Sequence, residues 1–109
     1  MISTFQASKG FSAIGSDARL EVLRVLVRAG PGGLSVGEIQ RRLGMPASTL
    51  SYHLRALCDG GLMEKQKRGR HVLNFANYDH IRGLADYLLE ECCADAPEGI
   101  AIPPCLKIE

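Results

Sequence analysis

The side chains best suited to chemistry in this 109-residue chain are its four cysteines. Cys92, Cys93 and Cys105 lie close to the C-terminus, and Cys58 lies near the middle. The N-terminus does not resemble a signal peptide and no apolar run approaches the length of a membrane span, so we expect a cytoplasmic protein with reduced thiols. Reduced thiols bind soft ions, and their thiolate forms react with oxidants. The sequence therefore predicts thiol chemistry near the C-terminus.

The sequence does not indicate an enzyme. It contains no Cys-x-x-Cys pair, no glycine-rich nucleotide-binding loop and no strand-helix-strand order. A small thiol oxidoreductase is the enzyme class we considered, and these absences argue against it. A single domain of 109 residues with 46% apolar residues is expected instead to be a small globular protein.

A second set of polar side chains lies on one face of a predicted helix over residues 46–58. Leu50, Leu54 and Leu57 fall on the opposite face, and Pro46 suits the first helical position. The polar face carries short hydroxyls, a phenol and a guanidinium, namely Ser48, Ser51, Tyr52 and Arg55. Such a helix can enter a DNA major groove. Taken alone, it could equally be an ordinary amphipathic surface helix.

Three further helices are predicted before this segment, over residues 2–14, 17–29 and 35–43. Ser16 or Asp17 can cap the second helix, and Ser35 with Glu38 forms a capping box for the third. Gly44 then closes the third helix. Because only Gly44 and Met45 separate it from the helix over 46–58, the two match a helix-turn-helix.

A basic hairpin is predicted after the helix-turn-helix. Residues 62–66 and 71–75 are typical of short strands, and Lys67, Arg68 and Arg70 crowd the glycine-bearing tip between them. The net charge of only +1 hides this basic region because the C-terminal part is acidic. A charged hairpin can be a solvated loop, but next to a helix-turn-helix we expect it to contact DNA as a wing.

The last predicted helix spans residues 78–93. It carries an apolar stripe at helical spacing: Ile81, Leu84, Ala85, Leu88 and Leu89. This stripe can form a dimer seam or pack on the protein's own core. We therefore expect a mainly α fold with a small β-hairpin wing, a dimeric winged helix-turn-helix. Residues 1–93 would form the DNA-binding and dimerisation domain, and residues 94–109 an irregular C-terminal tail.

The order of these elements and several motifs resemble the ArsR/SmtB repressors over roughly residues 11–90. The resemblance rests on residues 16–26, on the Ser-Thr-x-Ser-x-His-Leu run within residues 43–57, on Gly61-Leu62 and on Gly69-Arg70. It implies a winged-helix homodimer on a palindromic DNA operator, released when a metal or metalloid binds. The dimer would form through residues 2–14 and 78–93.

The resemblance also suggests roles for the polar side chains. Ser48, Ser51, Tyr52 and Arg55 would contact base edges or nearby phosphates, while Thr49 would contact the DNA backbone or cap its own helix. The wing residues Lys67, Arg68 and Arg70 would grip the flanking duplex.

The family places its inducer sites in several positions. The arsenic and cadmium site before the recognition helix needs two cysteines, but this chain has Ser35-Val36-Gly37 there. The zinc-type site needs a later histidine on the terminal helix, and only Asp79-His80 is present. What remains is Cys92, Cys93 and Cys105, which resembles a subgroup of arsenic repressors with C-terminal ligands. The implied inducer is arsenite, and antimonite should behave similarly.

Trivalent arsenic takes three sulfur ligands, which matches three C-terminal thiols. Adjacent cysteines on a helix point about 100° apart, so the last turn must unwind for both to bind one atom. We expect the surrounding carboxylates to raise the thiol pKa values and so to disfavour peroxide sensing: Glu90, Glu91, Asp95 and Glu98. Cadmium, lead, mercury and thiol oxidation remain alternatives. Cys58 is expected to be a packing residue rather than a ligand, and His53 a hydrogen-bonded structural histidine.

Overall fold

A computed structural model describes residues 2–99, and Cys105 lies outside that range. Within it the chain forms five helices and one hairpin: α1 (Thr4–Ala13), α2 (Asp17–Ala29), α3 (Val36–Leu43), α4 (Ala47–Asp59), β1 (Met63–Arg68), β2 (His71–Ala76) and α5 (Tyr78–Leu89). Over these residues, no helix has the length and apolar character that crossing a membrane requires.

Serine side chains define where the first three helices begin. Ser16 caps α2 by accepting a hydrogen bond from the Arg19 N–H. Ser35 and Glu38 form the reciprocal capping box expected for α3, and Ser3 forms one with Gln6 for α1. The predicted starts of α2 and α3 are confirmed, because each cap satisfies N–H groups that the helix itself leaves without partners.

Gly44 ends α3, the first helix of the helix-turn-helix, and adopts a left-handed conformation with φ 65° and ψ 27°. Its N–H donates to the Gln40 carbonyl at 2.7 Å. Pro46 is the N-cap of α4, so its predicted place as first helical residue is wrong by one position. Its φ of −60° suits a helix but its ψ of 147° is extended, and its carbonyl accepts the first bond, from the Leu50 N–H.

The core forms around the apolar face of α4. Leu50, Leu54 and Leu57 are fully buried and pack in one cluster with α2 and α3, which contribute Val22, Leu26 and Ile39. The apolar face of α2 is narrower than the sequence pattern indicates. Leu20 and Val27 follow the same helical spacing but are exposed, because they lie to one side of the buried Val22, Leu23 and Leu26.

The two strands pair in antiparallel register from Met63 opposite Ala76 to Arg68 opposite His71. They extend further than predicted, so Lys67 and Arg68 belong to β1 and only Gly69 and Arg70 form the turn. Leu34 adds a short bridge at the other edge of β2, exchanging two backbone hydrogen bonds with Asn74. The sequence analysis missed this bridge, which fastens the wing to the start of α3.

Helix α5 ends at Leu89, four residues earlier than predicted. It packs on α1, where Gly10 makes room for Leu84: a Cβ at Gly10 would lie 2.8 Å from a Leu84 methyl. The predicted apolar stripe divides. Ile81 and Leu84 pack on the chain's own core, whereas Ala85, Leu88 and Leu89 are exposed.

Candidate nucleic-acid interface and thiol pair

The polar face of α4 is open to solvent, as the sequence predicts. All five of its predicted DNA-contacting side chains are exposed: Ser48, Thr49, Ser51, Tyr52 and Arg55. The buried leucines on the other face fix the rotation of the helix about its own axis. A groove of about 430 Å³ runs between α4 and the wing, lined by Ser48, Ser51, Tyr52, Arg55 and Lys65.

Lys65 is a groove residue that the sequence analysis did not select. It lies on β1, two positions before Lys67, so the two ammonium groups project from the same face of the strand. Strand alternation was the signal that could have identified it. Its place opposite the recognition helix gives the groove a positive charge on each side, Arg55 on α4 and Lys65 on β1.

The wing tip carries the three predicted cations Lys67, Arg68 and Arg70, all exposed. Arg68 folds back along the hairpin, where its Nη2 donates to Gln66 Oε1 at 3.1 Å. Its guanidinium carbon also lies 5.7 Å from the centre of the Phe75 ring. Arg68 therefore has partners within the wing, and reaching a phosphate requires it to leave them.

A second residue outside the predicted set, Arg19 on α2, contacts the recognition helix. Its guanidinium carbon lies 5.2 Å from the centre of the Tyr52 ring, and its Nε donates to His53 Nδ1 at 3.4 Å. His53 is half-buried and hydrogen-bonded, which agrees with the structural role expected for it. No local sequence signal identifies Arg19, because it contacts residues more than thirty positions away.

The thiol pair lies just beyond α5 in a series of tight turns. The N–H groups of Cys92, Ala94 and Ala96 donate to carbonyls three residues earlier, and Glu91 and Cys93 have left-handed backbones with φ of 59° and 64°. In this conformation the Sγ atoms of Cys92 and Cys93 lie 3.5 Å apart, and both residues are exposed. The unwinding that two adjacent ligands require is present here.

The hydrogen bond with the Cys93 thiol raises the pKa of Cys92 above its usual 9.0, with smaller contributions from desolvation and from the charge of Cys93. We expected a raised pKa for the thiols, and for Cys92 the direction is confirmed. The expected cause is wrong, because the neighbouring thiol and not the acidic side chains raises it. Cys92 is therefore a neutral thiol at neutral pH and reacts slowly as a nucleophile.

The other cysteines have different surroundings. Cys105 lies outside the described residues. Cys58 is exposed near the end of α4, so the expectation that it is a packing residue is wrong. It follows Leu57 directly, and on a helix the next residue turns away from the buried face. Among residues 2–99, no group of three His, Cys, Asp or Glu side chains is placed to hold a metal ion.

A recognition helix with an open polar face, held against a basic hairpin, defines a winged helix-turn-helix DNA-binding domain. A family model described as a helix-turn-helix domain matches residues 14–66. The chain is 35% identical over 91 residues to the HTH-type transcriptional regulator YgaV of Escherichia coli, an alignment that covers 84% of this chain and 90% of YgaV.

Solved structures share the fold. An ArsR-like transcriptional regulator from Rhodococcus sp. RHA1 superposes with a TM-score of 0.71 at 28% identity, covering 83% of this chain and 81% of the other. The homodimeric winged helix-turn-helix domain Mb0332 of Mycobacterium bovis gives a TM-score of 0.64 at 26% identity, covering 90% and 87%. The chain belongs to the ArsR/SmtB family of winged-helix transcriptional regulators. This is a family of DNA-binding regulators and not of enzymes.

Proposed function

We propose that the protein is a repressor that binds a palindromic operator as a homodimer and releases it when trivalent arsenic binds Cys92, Cys93 and Cys105. The observation that carries the proposal is the thiol pair. Its two exposed sulfur atoms lie 3.5 Å apart, outside the helix that precedes them. Two sulfur–metal bonds of about 2.3 Å each span that distance, so one soft atom can contact both.

DNA contact is assigned to the groove between α4 and the wing. Ser48, Ser51, Tyr52 and Arg55 would contact bases or nearby phosphates, with Thr49 at the backbone. The wing cations Lys67, Arg68 and Arg70 would hold the flanking duplex, with Lys65 joining them. In a two-fold dimer the half-sites would lie about 34 Å apart, one turn of the double helix.

Dimerisation is assigned to α1 and α5, within residues 2–14 and 78–93. These helices pack against each other and still expose large apolar side chains: Phe5 is 72% exposed and Leu88 is 66% exposed. Leu89 adds to the same region. Exposed apolar side chains on two packed helices can contribute to a protein–protein interface. A second copy of the same helices would cover them.

Arsenite suits these thiols better than an oxidant does. Arsenous acid condenses with neutral thiols, and each thiol proton leaves with an arsenic-bound hydroxyl as water. The raised pKa of Cys92 keeps its thiol protonated, which does not hinder that condensation but slows attack on peroxide. Antimonite would bind in the same way. Cys105 would supply the third sulfur through the tail.

A thiophilic divalent cation is the second candidate inducer. The thiol pair is surrounded in sequence by exposed carboxylates, Glu90, Glu91, Asp95 and Glu98, which attract cadmium, lead or mercury ions more than neutral arsenous acid. Oxidation of the cysteine pair is a third reading, and the raised pKa of Cys92 argues against it.

Release would follow from the position of the thiols beside the dimer helices. Closing three thiols on one atom reshapes the segment after Leu89, and that segment continues directly from α5. A change in the angle between the two subunits would then misplace both recognition helices. A tenfold loss of operator affinity needs about 1.4 kcal/mol, so effective release requires arsenic to favour the non-binding state by several kcal/mol.

The test is an operator-binding titration with and without arsenite. Wild type, Cys92→Ser, Cys93→Ser and Cys105→Ser are compared with the matched control Cys58→Ser, which removes the other thiol. We expect arsenite to release wild type and Cys58→Ser, while the three C-terminal variants stay bound. Release of all the variants would overturn the site. If cadmium but not arsenite releases the operator, cadmium replaces arsenite as the proposed inducer. If peroxide releases it and mass spectrometry finds a disulfide, thiol oxidation replaces arsenite.

The dimer is tested separately by light scattering. Leu89→Glu on α5 is compared with Val72→Glu on the wing, since both side chains are 44% exposed. We expect Leu89→Glu to shift the protein toward monomer and Val72→Glu to leave the dimer intact. Equal behaviour of the two variants would contradict an α1–α5 interface.

A further inference from the structure

Tyr52 is the largest side chain on the exposed face of the recognition helix, and 64% of its surface is open to solvent. An exposed side chain ordinarily samples several rotamers, and fixing one of them on binding DNA costs conformational entropy. The neighbouring side chains on that face, Ser48 and Ser51, are too short to hold a phenol ring. Its ring contacts His53 on the same helix, and a further restraint comes from outside α4.

That restraint comes from Arg19 in the first turn of α2. The 5.2 Å distance between its guanidinium carbon and the ring centre is within the range of a cation–π contact. The guanidinium is itself held, because its Nε donates to His53 Nδ1 at 3.4 Å. His53 also meets the Tyr52 ring edge-on, with the ring centres 5.6 Å apart at 61°. Arg19 thus joins both aromatic rings to α2.

We infer that Arg19 is a positioning residue that holds Tyr52 in the rotamer that contacts DNA. The inference rests on the proposed DNA contact of Tyr52. Arg19 lies on neither the recognition helix nor the wing, and its guanidinium covers one side of the ring. The hydroxyl and the remaining surface of the ring stay available to a base edge, a thymine methyl group or a phosphate oxygen.

A double-mutant cycle on operator affinity tests this inference. Arg19→Met removes the cation and the donor at similar length, and Tyr52→Ala removes the ring. We expect Arg19→Met to weaken operator binding about two- to fivefold in the wild-type background, the range of an exposed cation–π contact. In the Tyr52→Ala background it should cause no further loss.

Two controls separate positioning from other effects. Arg24→Met removes a charge from the exposed side of the same helix and should leave affinity near the wild-type value. Arg19→Lys keeps a cation near the ring and should recover most of the affinity. The slope of log operator affinity against log salt concentration should be unchanged in Arg19→Met. If Arg19 contacted a phosphate directly, its removal would reduce the magnitude of that slope by about one unit.

The outcomes distinguish this inference from the proposed function. If Tyr52→Ala binds the operator like wild type, the DNA contact of Tyr52 fails and the positioning role fails with it. If Tyr52→Ala weakens binding but Arg19→Met does not, only the positioning role fails. An equal loss from Arg19→Met in both backgrounds, or a reduced salt slope, would show that Arg19 acts without Tyr52.

Discussion

The recognition helix and the thiol pair are both exposed, but the structure holds them in different ways. Helix α4 presents its polar side chains from a backbone fixed by three buried leucines and by its packing on α2 and α3. Cys92 and Cys93 lie in consecutive turns beyond α5, with no buried side chain from Leu89 to Gly99. One region is positioned by the core and the other by local backbone bonds alone.

This difference suits two kinds of recognition. A helix that contacts base edges must keep its side chains in place before DNA arrives, since each restraint formed earlier lowers the entropy cost of binding. Thiols that close around one soft atom must approach each other and a third ligand. A segment without buried side chains can rearrange at little cost to the fold. The contrast therefore predicts where substitutions disturb the fold and where they change only thiol chemistry.

The largest effect is expected from Leu54→Ala, which opens a cavity beneath the recognition helix. It should lower the free energy of unfolding by about 2–5 kcal/mol, because Leu54 is fully buried. The matched change beyond α5, Cys92→Ala, should alter it by less than about 0.5 kcal/mol. Urea unfolding of the two variants measures both. Similar losses would remove the distinction between the two regions.

Gly33→Ala should have the next largest effect, by disturbing the link between the wing and α3. Gly33 has a φ of +70°, and a Cβ there would lie 2.8 Å from the Asn74 carbonyl oxygen and from the Phe75 ring. We expect a loss of about 2–3 kcal/mol in thermal unfolding. Gly69→Ala at the wing tip is the control, since its φ is +61° with no neighbour, and should cost about 1 kcal/mol.

A smaller effect is expected from the capping box of α3, and it depends on pH. Hydrogen bonds from the Ser35 backbone and hydroxyl lower the pKa of Glu38 below its usual 4.5, and Arg41 and Arg42 add to this. A lowered pKa in the folded state means that the unfolded state binds the proton first. The stabilisation is therefore complete above pH 4.5 and is lost as the pH falls through the folded-state pKa.

Melting temperatures across this acid range measure the contribution of Glu38. Glu38→Gln should flatten the fall in stability below pH 4.5 relative to wild type. Glu64→Gln serves as the control, because Glu64 is exposed on β1 and belongs to no capping box. This variant should keep the pH profile of wild type. Identical profiles for wild type and Glu38→Gln would mean that the cap carries no charge-dependent stability.

The smallest effect concerns the thiol pair itself and leaves the fold untouched. Because the hydrogen bond with Cys93 raises the pKa of Cys92, Cys93→Ala should lower that pKa toward 9.0. The alkylation rate of Cys92 would then rise at lower pH, since the thiolate is the reactive form. Mass spectrometry of the alkylated peptides reports this, with Cys58 in the same sample as reference. If the pH midpoint of Cys92 alkylation is the same in Cys93→Ala and in wild type, the hydrogen bond between the two thiols does not raise the pKa of Cys92.

Most of the fold was predictable because its signals are local. The serine caps, the glycine after α3 and the leucine spacing of α4 each lie within one or two helical turns, and the structure confirms the elements that they indicate. The end of α5 was placed four residues too late. Tyr87 is the last half-buried side chain of α5 and every residue from 88 to 99 is exposed, so no packing supports the helix beyond its observed end.

The residues that surround the groove between α4 and the wing were predicted less completely. The exposed face of α4 followed from helical spacing, whereas Lys65 enters the groove only because the hairpin folds beside α4. The contact of Arg19 with Tyr52 joins two helices that are far apart in sequence. The Arg19 contact has no periodic signature in the chain, whereas strand alternation places Lys65 on the same face as Lys67 and helical rotation turns Cys58 away from Leu57.

Sequence reasoning alone gave the order of the elements, the serine caps of α2 and α3, the apolar face of the recognition helix and the family to which the chain belongs. These depend on residues close together in the chain, where capping bonds and side-chain periodicity act. The folded structure was needed to find the Leu34–Asn74 bridge, the contact of Arg19 with Tyr52, the division of the α5 stripe and the 3.5 Å between the two sulfur atoms. Each of these depends on packing between segments or on backbone angles that the local sequence does not specify. Such packing forms only when the whole chain is folded.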